Sequence, residues 1–220
     1  ILIALFYSGF INLDKKNRNL FILSKGHALA ALYLILLDKK KLSFKQLKKK
    51  FKDLRFGGQL DIYNSKFVDW NTGSLGHSVG VAIGLAKKEP KKKIYIVVGD
   101  AEFEEGSIWE AIFFISENKI GNVIIIIDRN KMSASANIKK KDIFDKNILE
   151  RLNFNIYKID GHNYKKILNS LNSTQKNDKS SIIIADTIKG KGFKIFENNK
   201  KYSHGLPAMH ILERIINEKC

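Results

Sequence analysis

At 220 residues with 44% hydrophobic residues, the chain is long enough to bury a sizeable core, which excludes an intrinsically disordered protein. Its 39 Lys and Arg against 22 Asp and Glu leave a net charge of +17, but the lysine runs at 39–41, 48–50, 91–93 and 139–141 are scattered and lack interleaved aromatics, so they are solvated faces and not a nucleic-acid surface. A basic surface still favours phosphorylated small molecules through electrostatic steering.

The chain opens on ILIALFYSGF, an apolar stretch of about ten residues. It is too short to span a bilayer and lacks the basic start of a signal peptide. It reads as the interior of a helix whose beginning is missing, so the chain is expected to start mid-domain. FILSKGHALAALYLIL (21–36) follows, with His27 after Gly26. On its own terms this histidine is a buried or capping residue. LGHSVGVAIGLAKK (75–88) has apolar residues at helical spacing, and Ser74 before it is a candidate N-cap.

IYIVVGD (94–100) and VIIIID (123–128) are short, β-branched and apolar throughout, as is IIIAD (182–186). Such runs predict strands buried on both faces of a parallel sheet. FNIYKID (154–160) is a fourth, weaker candidate, and all four end in Asp. GSIWEAIFFISENK (106–119) between the first two strands predicts a helix, and NSTQKNDKSS (172–181) a polar loop. Alternating strands and helices predict one α/β domain over 1–220, a doubly wound, mainly parallel sheet with helices on both faces. In that architecture ligands bind outside the carboxyl ends of the strands. The Gly-x-Gly-x-x-Gly signature of a nucleotide-binding Rossmann domain is missing. The single cysteine, Cys220, allows no internal disulfide, which fits a reducing, cytoplasmic setting.

The strand ends therefore carry the candidate chemistry. Gly99-Asp100 closes one strand, and Asn130 lies thirty residues on (130 − 100), at the tip of the next. A crossover of that length returns a parallel strand beside the first. Asp100, Asn130 and the carbonyl of Met132 can then meet one hard cation beside a phosphate. Read alone, the pair is equally well two turn caps. Glu102 and Glu104 read as complements to a helix dipole. Trp70 and Trp109 read as core or interface anchors, and His162 and His210 as lying outside the site.

Six ordered segments tip the balance. Gly-Asp followed by an amide about thirty residues on resembles the thiamine-diphosphate-binding motif. GDAEFEEGSIWEA and NVIIIIDRN resemble the corresponding stretches of transketolases. So do FILSKGHALAALYLIL, TGSLGHSVGVAIGLA (72–86), TIKGKGFKIFENN (187–199) and SHGLP (203–207), in the family's order along nearly the whole chain. The resemblance implies Mg²⁺ (or Ca²⁺ or Mn²⁺) held by Asp100, Asn130 and the Met132 carbonyl against the cofactor's diphosphate. It implies His27 near the diphosphate or the thiazolium, and Gly73, Ser74 and Leu75 along the aminopyrimidine. Gly99 and Ala101 would lie against the diphosphate, with a contact from Lys189. Glu105 would join an acid network at the dimer interface, and His204 would face the diphosphate and the reacting substrate.

Three departures qualify the resemblance. Ala101 stands where the family usually has glycine, which is tolerated if that residue is helical. Gln59 falls at or near a family histidine close to the substrate, and glutamine cannot shuttle a proton near neutral pH. The family's upstream helix and Ser-Gly-His segment are absent. The glutamate that hydrogen-bonds the aminopyrimidine comes, in the family, from a separate pyrimidine-binding domain. The expectation is therefore the N-terminal subunit of a split transketolase, moving a two-carbon ketol unit between sugars. It would act with a C-terminal subunit in an α₂β₂ assembly, with no nucleic acid or membrane as partner. The alternatives are a relative resembling 1-deoxyxylulose-5-phosphate synthase, or a non-catalytic interaction subunit.

Overall fold

The computed structural model describes residues 1–47, 67, 69–70, 72–132, 146–202, 210–211 and 213. Gln59 and the segment 203–207, with His204, lie outside the described residues, as does the side chain of His27.

Five strands form one sheet: β1 (Leu20–Leu23), β2 (Ile94–Gly99), β3 (Val123–Arg129), β4 (Asn155–Asp160) and β5 (Ser181–Asp186). Their order is β1-β2-β3-β5-β4 and every pairing is parallel. The four expected strands are present, and β1 adds an edge from a segment whose sequence stands out only as a motif. β2, β3 and β5 are buried over five residues each, as their unbroken apolar runs require. β4 is the opposite edge and only half-buried, which accounts for its mixed sequence.

Alternation along the strands divides the core in two. Phe21, Leu23, Tyr95, Val97, Ile124, Ile126 and Ile183 face one layer, with helices α1 (Leu2–Tyr7), α2 (Leu29–Asp38) and, later in the chain, Ile167 and Leu171. Ile22, Ile96, Val98, Ile125, Ile127 and Ile184 face the other layer, against α3 (His77–Lys88) and α4 (Gly106–Glu117). Fully burying one such Ile contributes roughly 1.5–3 kcal/mol. The doubly wound architecture is therefore present as expected.

The short helix α5 (Lys146–Arg151) leads into β4, and α6 (Tyr164–Gln175) leads from β4 to β5. Helix α6 begins at Asn163, whose side chain accepts the Lys166 N–H at 3.1 Å. It overturns the loop expected from residue 172: residues up to Gln175 are helical. The first four residues of the polar run form the last turn of a helix that buries Ile167, Ser170, Leu171 and, within the run, Thr174. The entry to α3 differs as well. Gly76, at φ +82°, is its cap in place of Ser74, which stands exposed.

Register brings the strand ends level. Gly99 pairs with Asp128, and Asp128 with Ala185. The residues that follow these positions share the carboxyl edge of the sheet.

Candidate cofactor site at the carboxyl edge

Asp100 follows β2 and is only 2% exposed. Among the described residues, its oxygens accept the backbone N–H groups of Ala101 (2.9 Å) and Lys131. Burial pushes its carboxyl above the usual carboxylate range, against the opposing pull of those two N–H groups and the Lys25 ammonium. Asn130, at the neighbouring tip, is also buried. Its Oδ1 accepts the Met132 N–H at 3.0 Å, which spends one of two lone pairs. The Lys131 N–H on Asp100 ties the two tips together directly, with Lys131 at φ +61°. The oxygens brought together here are the Asp100 carboxylate and the Asn130 amide, with the Met132 main chain held to Asn130. These are hard oxygens on a buried acid that lacks full charge compensation, and they fit a hard divalent cation. Among the described residues there is no group of three or more His, Cys, Asp and Glu that points to a different metal site.

Ala101 is helical at φ −64°, ψ −35°. The methyl that replaces the family glycine thus costs no backbone strain. The turn Glu102–Glu104 carries the chain from Asp100 to Glu105, which opens α4 in extended conformation with an exposed side chain. Ser74 and Leu75 are also exposed, Leu75 at 54%. The Ser74 hydroxyl lies 3.5 Å from His77 Nε2.

Glu102 departs from the expectation of a helix-dipole complement. It is 3% exposed and, although it opens the short turn Glu102–Glu104, its carboxylate is taken up by groups from other segments. Its carboxylate accepts the Ser24 hydroxyl, the Gly76 N–H at 3.1 Å and the Gly99 N–H at 3.4 Å. One side chain therefore joins the end of β1, the 72–76 loop and the end of β2. Gly76 has no room for a side chain: a Cβ there would lie 2.3 Å from Ser107 Oγ and 2.9 Å from Glu105 Cβ. No spacing rule distinguishes Glu102 from its neighbours Glu104 and Glu105, so its role is invisible in the sequence.

A second group of charges lies at the ends of β1, β3 and β5. Lys25 forms an ion pair with Asp128, and the Thr187 hydroxyl donates to the other Asp128 oxygen. Burial raises the Asp128 carboxyl, but Lys25 and Thr187 outweigh it and hold the group below its ordinary value. Lys189 faces the same acids, and its ammonium is lowered by burial first and by the Lys25 charge second. Lys189 is carried on a tight turn in which Gly190, at φ +78°, approaches Phe196 too closely for any Cβ. Asn198 N–H donates to the Lys189 carbonyl at 3.0 Å.

These residues open onto a cavity of about 900 Å³ whose polar side is formed by Lys25, Asp128, Asn130, His162, Thr187 and Lys189. Its apolar side is formed by α1 and α2, including Leu34 and Ile35. Asn130 belongs to both groups, whereas Asp100 and the 73–75 loop lie beyond the cavity's lining. His162 lies at the cavity, where its Nε2 accepts the Ile188 N–H at 2.7 Å next to Lys189. In the sequence, Lys25 is legible only as a member of the SKGH segment with no role of its own, and Asp128 as one of four strand-closing aspartates.

Residues 10–211 match the family model described as transketolase, thiamine diphosphate binding domain. The chain is 32% identical over 225 residues to a protein of Actinobacillus succinogenes named as a subunit of apulose-4-phosphate transketolase, covering 96% of this chain and 81% of that one. A protein of the same name from Phocaeicola vulgatus is 31% identical, covering 91% and 74%. Against the Homo sapiens transketolase the identity is 32%, covering 90% of this chain and 33% of that one. The crystal structure of Campylobacter jejuni transketolase superimposes with a TM-score of 0.76 at 29% identity, covering 91% of this chain. The chain spans 34% of the length of that solved transketolase.

Proposed function

This chain belongs to the transketolase family, as its thiamine diphosphate-binding domain, and on that premise we propose that it is the diphosphate-binding subunit of a two-chain transketolase. It transfers a two-carbon ketol unit between sugars. The observation that carries the reading is Asp100: a buried carboxylate, raised by desolvation, beside Asn130 at the adjacent strand tip. The relatives named as transketolase subunits, matched over most of their length, support the division into two chains. The apulose-4-phosphate in their name supports a phosphorylated sugar, and so does the net charge of +17.

In this reading Asp100, Asn130 and the Met132 carbonyl hold Mg²⁺, with Ca²⁺ or Mn²⁺ as substitutes that the same oxygens accept. Gly99, Ala101, Lys189 and His27 receive the diphosphate. Gly73, Ser74 and Leu75 line the aminopyrimidine side. Glu102 holds that loop against the strand tips so that the two ends of the site keep their spacing. His204 holds or moves a proton at the substrate oxygen. Glu105 meets the opposite subunit. Bound there, thiamine diphosphate supplies the carbanion chemistry. A partner chain with a pyrimidine-binding domain supplies the activating glutamate, in an α₂β₂ assembly in the cytoplasm.

The test is a thiamine diphosphate titration with Mg²⁺ or with chelator, on the chain alone and with that partner. Metal-dependent binding, and ketol transfer only with the partner, are the expected results. No binding under any of these conditions would remove the cofactor assignment, and full turnover by the chain alone would remove the partner.

A further inference from the structure

Resting on the reading just given, we infer that Lys25 is a second cationic anchor for the cofactor's diphosphate, held in place by Asp128 and Thr187. Its root is fixed, because the Lys25 N–H donates to the Val97 carbonyl at 3.0 Å and so continues the β1–β2 pairing. Its stem passes Gly99, whose absent Cβ would stand 3.9 Å from Lys25 Cδ. The ammonium thus travels from the end of β1, past the end of β2, to Asp128 on β3. That path ends beside Asn130 and Lys189, on the polar side of the cavity.

The charge arrangement points to an anion. An ammonium has three donors, and Asp128 Oδ2 takes one of those of Lys25. The other Asp128 oxygen accepts the Thr187 hydroxyl. Both oxygens of this acid therefore have partners before Lys189 is considered. Lys189 faces Lys25 as a like charge, which disfavours the Lys189 ammonium. Two ammonium groups on one side of a site become favourable neighbours when a multiply charged anion lies between them. The metal proposed at Asp100 neutralises the diphosphate from one side, and Lys25 and Lys189 do so from the other. The rival role for Lys25 is a structural tie between β1 and β3. The two roles separate, because a tie needs only its partner, whereas an anchor needs its charge.

The experiment uses the chain assembled with its pyrimidine-binding partner, titrated with thiamine diphosphate in Mg²⁺ and followed by calorimetry. Lys25→Met is expected to weaken binding at least about tenfold. Lys25→Arg keeps the charge and is expected to stay within about threefold. The double variant K25M/D128N removes both halves of the ion pair. It is expected to recover the wild-type melting temperature while remaining weak for the cofactor, with a shallower dependence of Kd on salt. A double variant that binds like wild type, or a Lys25→Met chain with undiminished affinity, would overturn the anchor and leave the cofactor reading standing. A wild-type assembly that takes up no thiamine diphosphate would overturn both.

Discussion

The tips of β2 and β3 lie side by side, in register at Gly99 and Asp128, yet their two acids are treated in opposite ways. Asp128 meets an ammonium and a hydroxyl, and its carboxyl is held below the ordinary value despite burial. Asp100 meets two backbone N–H groups and only a distant cation, and its carboxyl is pushed up. An acid that the fold has already neutralised belongs to the scaffold. An acid left at a disadvantage is where a cation gains most. This difference, more than the presence of an acid at a strand end, is why Asp100 is the proposed metal ligand.

The largest effect should come from breaking the site at that residue. Asp100→Ala is expected to weaken Mg²⁺-dependent thiamine diphosphate binding by at least about 100-fold. Titrations with Mg²⁺ and with chelator should then coincide. An unchanged Kd would mean that the metal is held elsewhere.

Glu102 sharpens the comparison, because it is a buried acid satisfied by neither a cation nor a metal. Its donors are a hydroxyl and two main-chain N–H groups. Glu102→Ala leaves these donors without their acceptor and is expected to cost about 2–3 kcal/mol of stability in urea unfolding. It should also loosen the 72–76 loop, giving faster hydrogen exchange at Gly76. Stability within about 0.5 kcal/mol of wild type would show that water replaces the carboxylate there.

Asp128→Asn tests the compensated acid. Its loss strands Lys25, whose side chain is 18% exposed, and should cost about 1–2 kcal/mol. The sign with pH follows from the lowered carboxyl. Its contribution is present above the unfolded value near about 3.9 and is lost as pH falls through the folded value. The variant and wild type should therefore differ most near neutrality and converge in acid. A difference that grew in acid would contradict the ion pair.

These acids also mark how far sequence reading reaches. The unbroken Ile and Val runs make the central strands legible, because burial on both faces demands them. Asp100 and Asn130 are legible because crossover length and strand polarity bring them together. Four strand-closing aspartates are visible as a pattern, but their roles are not. Asp186 pairs with Arg129, and Asp160 accepts the His162 N–H at 2.9 Å, so both serve local structure. The role of each is decided by the group it faces, and Lys25 stands 103 residues from Asp128 in the chain. Glu102 is hidden for the same reason: its partners Ser24 and Gly76 come from distant segments. His162 is hidden because the Gly161 turn that carries it fits against Asp186 and Thr187, with no space for a Cβ. Strand β1 escapes sequence reading because it is only four residues long and forms an edge.

The smallest predicted effect returns to Asp100 and has the opposite sign to that of Asp128. Asp100→Asn removes the ionisation of the side chain and exchanges one of the two oxygens that accept the Ala101 and Lys131 N–H groups for a donor. In the absence of metal and cofactor, the raised carboxyl means that the folded state prefers the protonated form. A raised group stabilises below the unfolded value, near about 3.9, and that contribution is lost as pH rises through the folded value. The asparagine variant does not suffer this loss. Its stability relative to wild type is therefore expected to rise from acid to neutral pH. With Mg²⁺ and thiamine diphosphate in excess wild type should be the more stable at neutral pH, because only it gains binding free energy. Thermal melts of both chains from about pH 4 to about pH 8, with and without ligand, read both statements. An asparagine variant that gains nothing on wild type as pH rises without ligand would mean that Asp100 is compensated after all. The two strand tips would then no longer differ in kind.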